Sequence, residues 1–139
     1  SMHRILIFSH GELIGDGMMK LPFVRMLSHI LPNSHVTWLA GRHSTIFKTA
    51  LNPLVKDHLQ DIIELPGFGD SLKYLFGNSW QSFLKTKQFD YILDTEKKIL
   101  PALTLKRIPH KNFISAAYNW RFSDQKPPLT DKKPDLLLD

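Results

Sequence analysis

The run Ile5-Leu6-Ile7-Phe8 constrains the fold more than any other stretch of the sequence. Four consecutive apolar residues cannot alternate between a wet and a dry face. They read as a strand buried on both sides, as in a parallel sheet covered by helices. Residues 9–17 break the run with three glycines, Gly11, Gly15 and Gly17. Beyond them Met19, Phe23, Met26, Leu27 and Ile30 recur at helical spacing and predict the buried face of a helix. Strand, glycine loop and helix make the first half of a βαβ unit. In such sheets ligands gather at the carboxyl ends of the strands, beside the first loop. Asp16 stands there, at the mouth of the helix.

The same alternation continues along the chain. Residues 32–34 form a turn, and 36–40 a second strand closed by Gly41. A short helix is predicted over 45–51, and Pro53 opens another short piece. Residues 62–65 read as a third strand, 71–87 as a helix interrupted by Gly77, and 91–93 as a fourth strand ending at Asp94. A helix over 99–108 carries Pro101 in its first turn, where proline is tolerated. Residues 112–115 are the fifth strand. This order predicts an α/β fold, a Rossmann-like three-layer parallel sheet with right-handed crossovers. It occupies residues 1–124. Residues 125–139, rich in Pro and Lys, read as a linker-like tail.

The chain has 139 residues, one domain's worth, with 42% apolar and 22% charged residues, so it is globular rather than disordered. It has no cysteine, which excludes disulfides, thiolate metal sites and a cysteine nucleophile. No apolar run approaches the ~20 residues that span a bilayer. The net charge of +5 is unevenly spread. Lys20, Arg25, Arg42, Lys48 and Lys56 fall between Asp16 and Asp57 with no acid among them, and a second acid-free basic stretch follows Glu96. Such segregation suits an anionic partner, or is a solvated basic face with no partner.

A dinucleotide fingerprint is the first motif to test in a strand–glycine loop–helix. The glycines here are spaced G-x-x-x-G-x-G, and Gly41-Arg42-His43 stands where the ribose-binding acid belongs. An NADP-type reading survives only through Arg42, which could meet a 2′-phosphate. Asp16 is either an N-cap or first-turn acid favoured by the helix dipole, or a general base. Gly15 and Gly17 beside it would leave backbone space for a substrate. The seven histidines show no metal-binding spacing, and no serine sits in a G-x-S-x-G elbow.

The order of the pieces carries a resemblance. Arg4-Ile-Leu-Ile-Phe, Gly15-Asp16, Lys20-Leu-Pro-Phe-Val-Arg-Met-Leu, Pro32 and Val36-Thr-Trp-Leu-Ala together resemble the N-terminal domain of the heptosyltransferase-like glycosyltransferases, glycosyltransferase family 9. Tyr91-Ile-Leu-Asp94, followed by a basic-aliphatic helix, resembles that family's second marker. Asp94-Thr-Glu-Lys stands where the family has D-L-Q-G. Its Arg-Gly pair near the fifth strand is replaced by Phe113-Ile-Ser-Ala-Ala-Tyr-Asn-Trp.

The resemblance implies one half of a GT-B arrangement, the acceptor side. The nucleotide-sugar donor would be bound by a C-terminal domain absent from this chain, with no other cofactor and no metal. It implies an inverting glycosyltransferase acting on a lipopolysaccharide core or related glycan. Asp16 would be the base. Gly15, Gly17, Lys20, His10, Glu12, Glu96, Lys97 and Lys98 would contact or orient the acceptor. Lys20 could hold an acceptor anion or bias Asp16 toward its ionised form. The implied partners are an anionic glycolipid or glycan acceptor and the missing domain, with peripheral contact at the inner membrane from the cytoplasm and no nucleic acid. A non-catalytic basic module on anionic lipid is the remaining alternative.

Overall fold

Five strands lie in one sheet, and every pairing between neighbours is parallel. The computed structural model describes residues 2–77, 84, 88–96 and 98–115. In chain order the elements are β1 (His3–Ser9), α1 (Ile14–Ile30), β2 (Ser34–Ala40), a 3-10 turn (Ile46–Lys48), α2 (Asn52–Val55), β3 (Asp61–Glu64), α3 (Leu72–Phe76), β4 (Phe89–Asp94), α4 (Ile99–Leu105) and β5 (His110–Ser115). The sheet order is β3-β2-β1-β4-β5, which places β1 at the centre. The fold is the Rossmann-like α/β architecture that the alternating pattern predicts.

β1 shows why its sequence does not alternate. Ile5 and Ile7 point to one face, into a cluster with Val24, Leu27, Trp38 and Phe47. Leu6 and Phe8 point to the other, into a cluster with Phe68, Ile92, Leu105 and Phe113. All four are fully buried. Each such side chain contributes about 1.5–3 kcal/mol by leaving water. The first cluster is covered by α1, the 3-10 turn and α2, and the second by α3 and α4, giving three layers.

The structure corrects the expected face of α1. It buries Gly17, Lys20, Val24 and Leu27, while Met19, Met26 and Ile30 are exposed. The helix also begins earlier than the glycines suggest, so Gly15, Asp16 and Gly17 lie in its first turn. Apolar residues occur on nearly every side of α1, so spacing alone did not single out the face that packs. Gly17 is the pivot. A Cβ there would come within 2.4 Å of Ile46 Cγ2 and 2.9 Å of Leu51 Cδ1, so the glycine lets α1 press onto the turn after β2.

Three predicted helices are shorter than expected, among them α4, which ends at Leu105 rather than at residue 108. Residues 45–51 hold only the 3-10 turn, opened by Thr45, whose side chain accepts from the Phe47 N–H. α3 is capped by Ser71 and stops at Gly77, whose N–H donates back to Lys73 O at 2.7 Å. Apart from the buried Leu84, the rest of the predicted helix over 71–87, Trp80 included, lies outside the described residues, as do Lys97 and the tail from 116 onward. No described helix is long and apolar enough to cross a membrane.

Candidate functional site

The loops after β1, β2 and β4 meet at the carboxyl edge of the sheet. Strand order reverses between β1 and β4 there, the place where open α/β sheets leave a crevice. The β1 and β2 loops interlock through the backbone. His10 O accepts from the Arg42 and His43 N–H groups at 2.9 Å, and the Ile46 N–H donates to Glu12 O at 2.9 Å. Gly11 makes this contact possible. Its φ is +116°, and a Cβ would lie 2.4 Å from His43 O. On the other side the Thr95 hydroxyl donates to Phe8 O at 2.7 Å, tying the β4 loop to β1.

These loops frame an open pocket of about 330 Å³ lined by His10, Asp16, Lys20, Arg42, His43 and Glu96 among others. Asp16 stands at its wall with a side chain 47% exposed. Its Oδ2 lies 3.2 Å from Lys20 Nζ, the i,i+4 relation the sequence predicts.

Lys20 is not a solvated lysine. Its ammonium is held beneath Asp16 by Glu12, whose Oε2 accepts from Nζ at 2.8 Å. Glu12 is sealed from solvent, with its side chain 0% exposed. Its other oxygen accepts from Trp38 Nε1 at 3.1 Å and from the Thr45 hydroxyl in a very short hydrogen bond. Burial alone would lower the Lys20 pKa, but Glu12 and then Asp16 outweigh it and hold the pKa above the usual lysine value. The pair is a buried charge satisfied on every side, the condition for tolerating one inside a fold.

His10 and Glu96 also line the pocket. The His10 N–H donates to Glu96 Oε2 at 3.4 Å, and its ring Nε2 lies 3.4 Å from Oε1. The ring contact is close enough to be electrostatic without hydrogen-bond geometry, and neither ring nitrogen has a hydrogen-bond partner. Burial lowers the His10 pKa below the ordinary value of 6.5, and the nearby Glu96 charge only partly opposes this. This favours the neutral ring. Arg42 at the rim pairs with Asp70, Nε to Oδ2 at 3.0 Å.

Behind the pocket Asp94 ends β4, 1% exposed. Its Oδ1 accepts from the Glu96 N–H at 2.9 Å and its Oδ2 from the Ser115 hydroxyl at 2.6 Å. Burial raises its pKa from 3.8 to about 7, and those hydrogen bonds only partly counter it. Between these two values the folded chain keeps a proton that the unfolded chain has released. Stability therefore falls as pH rises through that interval and levels off above it. Asp94→Asn will flatten this fall in a series of urea unfolding midpoints taken across the interval. A variant whose slope matches the wild type would place the proton elsewhere.

Of the residues singled out in the sequence, Asp16, Lys20, His10 and Glu96 converge on the pocket. Glu12 does not reach it. It is consumed by the buried network, which corrects its expected contact with an acceptor. Gly17 faces Ile46 and Leu51 and gives no room to a substrate, a second correction. Gly15 is exposed in the first turn, with open space where a Cβ would be. Lys98 is exposed at the start of α4, and Lys97 lies outside the described residues. The Arg42–Asp70 pair and the Asp94–Ser115 contact had no sequence signal, because each joins residues distant in the chain. Arg42, the residue on which an NADP-type reading depended, is engaged by Asp70.

No protein-family model matches the sequence, and no curated protein matches it. Among solved structures the chain is similar to E. coli heptosyltransferase WaaC with ADP, at a TM-score of 0.64 and 16% sequence identity. The likeness covers 96% of this chain and 43% of that one, so the chain spans less than half of its neighbour's length. At this identity the likeness is one of fold, a Rossmann-like α/β domain.

Proposed function

We propose that this chain is the acceptor-side domain of an inverting glycosyltransferase, heptosyltransferase-like in class, with Asp16 as the general base. One observation carries the reading. The carboxylate that the sequence marked is half-exposed on the wall of an open pocket, at the point where the strand order reverses. The fold likeness to a heptosyltransferase supports the same class.

In the proposed reaction an acceptor hydroxyl enters the pocket beside Asp16. Its oxygen attacks the anomeric carbon of a nucleotide-sugar as its proton passes to the Asp16 carboxylate. The bond from that carbon to the nucleoside diphosphate breaks, and the diphosphate leaves with inversion at the sugar. Lys20 engages Oδ2 of Asp16 and leaves the other oxygen for the hydroxyl. The donor is held by a second domain across the cleft, and the acceptor belongs to a glycan or anionic glycolipid such as a lipopolysaccharide core. The exposed cations outside the pocket, Arg25, Lys48 and Lys56, suit the anionic part of such an acceptor or a membrane surface.

The test is release of nucleoside diphosphate by the full-length protein, given ADP-, UDP- and GDP-sugars with extracted glycolipid. Acceptor-dependent release from one donor is the expected result. Binding of NADPH, with no release from any donor, would replace this reading with a nucleotide-binding one.

A further inference from the structure

We propose that the outer face of α1, with the segment beside it, docks on an anionic lipid bilayer by seating its methionines between the headgroups. The proposal goes beyond the transfer reading. It is carried by surface side chains that the pocket does not use.

The observation is an apolar stripe turned to water. Ile14, Met18, Met19, Met26 and Ile30 on α1 are all exposed, Met19 by 68% and Ile30 by 60%. Met19, Met26 and Ile30 have the spacing of a buried face, yet the sheet takes Gly17, Lys20, Val24 and Leu27 instead. α1 carries no acid after Asp16. A contiguous apolar face of this kind marks a contact surface.

The neighbouring segment extends the face. Gly17 packs against Ile46 and Leu51, and Ser28 shares a hydrogen bond with His58, so residues 46–58 run alongside α1. Both segments cover the same side of the sheet. Outward they show the exposed Leu54 and the cations Lys48 and Lys56, with Arg25 on α1. These three cations make no ion pair among the described residues. The exposed acids on the two segments are Asp57 and Asp16, and Lys20 already pairs with Asp16. The balance is cationic and complements a negative lipid surface.

The geometry disfavours the other occupants. A second domain closing the crevice meets the carboxyl edge of the sheet, where α1 begins. Met26 and Ile30 lie about 18 and 24 Å farther along the helix than Ile14, away from that edge. A second copy bound through this face by a two-fold axis would bring Arg25, near the middle of the stripe, toward its own counterpart. A bilayer with negative headgroups answers the cations and the apolar side chains together, as for a helix lying in the interface plane. Methionine suits such a surface, because its flexible thioether adapts to an irregular one. Met18 and Met19 stand within one turn of Asp16, so a docked chain holds the pocket at the level of the headgroups.

The experiment is cosedimentation of the chain with vesicles. One set holds phosphatidylglycerol and phosphatidylcholine in equal parts, and the other phosphatidylcholine alone. We expect saturable binding to the anionic vesicles and little to the neutral ones. Met19→Gln with Met26→Gln, which keeps good helix formers at exposed positions, should weaken binding about tenfold or more. Lys48→Gln with Lys56→Gln should also weaken it about tenfold or more and flatten its salt dependence. The two pairs lie on different elements, so one stays informative if the other disturbs the fold. No binding to anionic vesicles would overturn the proposal. Binding that the methionine variant keeps in full would overturn it too, leaving a purely electrostatic contact. A dimer in sedimentation velocity that the methionine variant abolishes would give the face to a second copy and overturn it as well. Failure of the diphosphate-release assay would remove the transfer reading and leave these vesicle results untouched.

Discussion

Replacing Glu12 by alanine will destabilise the fold by about 3–5 kcal/mol, a large share of the 5–15 kcal/mol typical of a domain. The cost comes less from Glu12 than from what it leaves behind. Lys20 keeps a charge whose side chain is only 10% exposed, with Asp16 as its remaining partner. The Trp38 indole N–H and the Thr45 hydroxyl lose their buried acceptor together. Urea unfolding followed by circular dichroism measures the effect directly. Glu12→Gln should fall between, because it keeps an acceptor oxygen but not the charge. The double variant Glu12→Gln with Lys20→Met should recover much of the loss, since it removes the stranded ammonium as well. A loss under about 1 kcal/mol for Glu12→Ala would mean that solvent reaches Lys20 and that the network is not closed.

Replacing Asp16 by asparagine should separate chemistry from folding. In the full-length protein, sugar transfer should fall about 10²–10⁴-fold, the usual contribution of a positioned base. The change should appear mainly in kcat, because asparagine keeps an oxygen that can accept the acceptor hydroxyl's hydrogen bond. Stability should drop by less than about 1 kcal/mol, the scale of a first-turn charge on a helix dipole or of an exposed ion pair. The pairing of rate loss with intact folding is the informative result. Transfer at the wild-type rate would remove Asp16 as base, and His10, which lines the same pocket beside Glu96, would be the next group to test.

The two variants probe two sides of one lysine. Glu12 fixes the Lys20 ammonium from below, and Lys20 in turn contacts Asp16 at the pocket wall. A sequence motif could mark Asp16, because it sits between glycines where a strand gives way to a helix. Nothing local marks Glu12 as the residue that anchors it.

The sequence by itself determined the strands, the parallel sheet and the position of Asp16 at the mouth of the first helix. Those features are local in origin. Ile5 to Phe8 have no polar member to show to water, and a chain that alternates strands with helices closes into a sheet of this kind with little choice. Only the tertiary structure decided which face of α1 packs, since Met18, Met19, Val24, Met26 and Leu27 offer apolar groups in several directions. It chose the side where Gly17 allows contact with Ile46 and where Lys20 meets Glu12. It also withdrew Glu12 from the site, paired Arg42 with Asp70, and kept a proton on Asp94 by burying it against Ser115. Each of these joins groups that are separated in the chain or set on different loops. Charge pairing and desolvation depend on distances in space, which hydrophobic spacing does not encode.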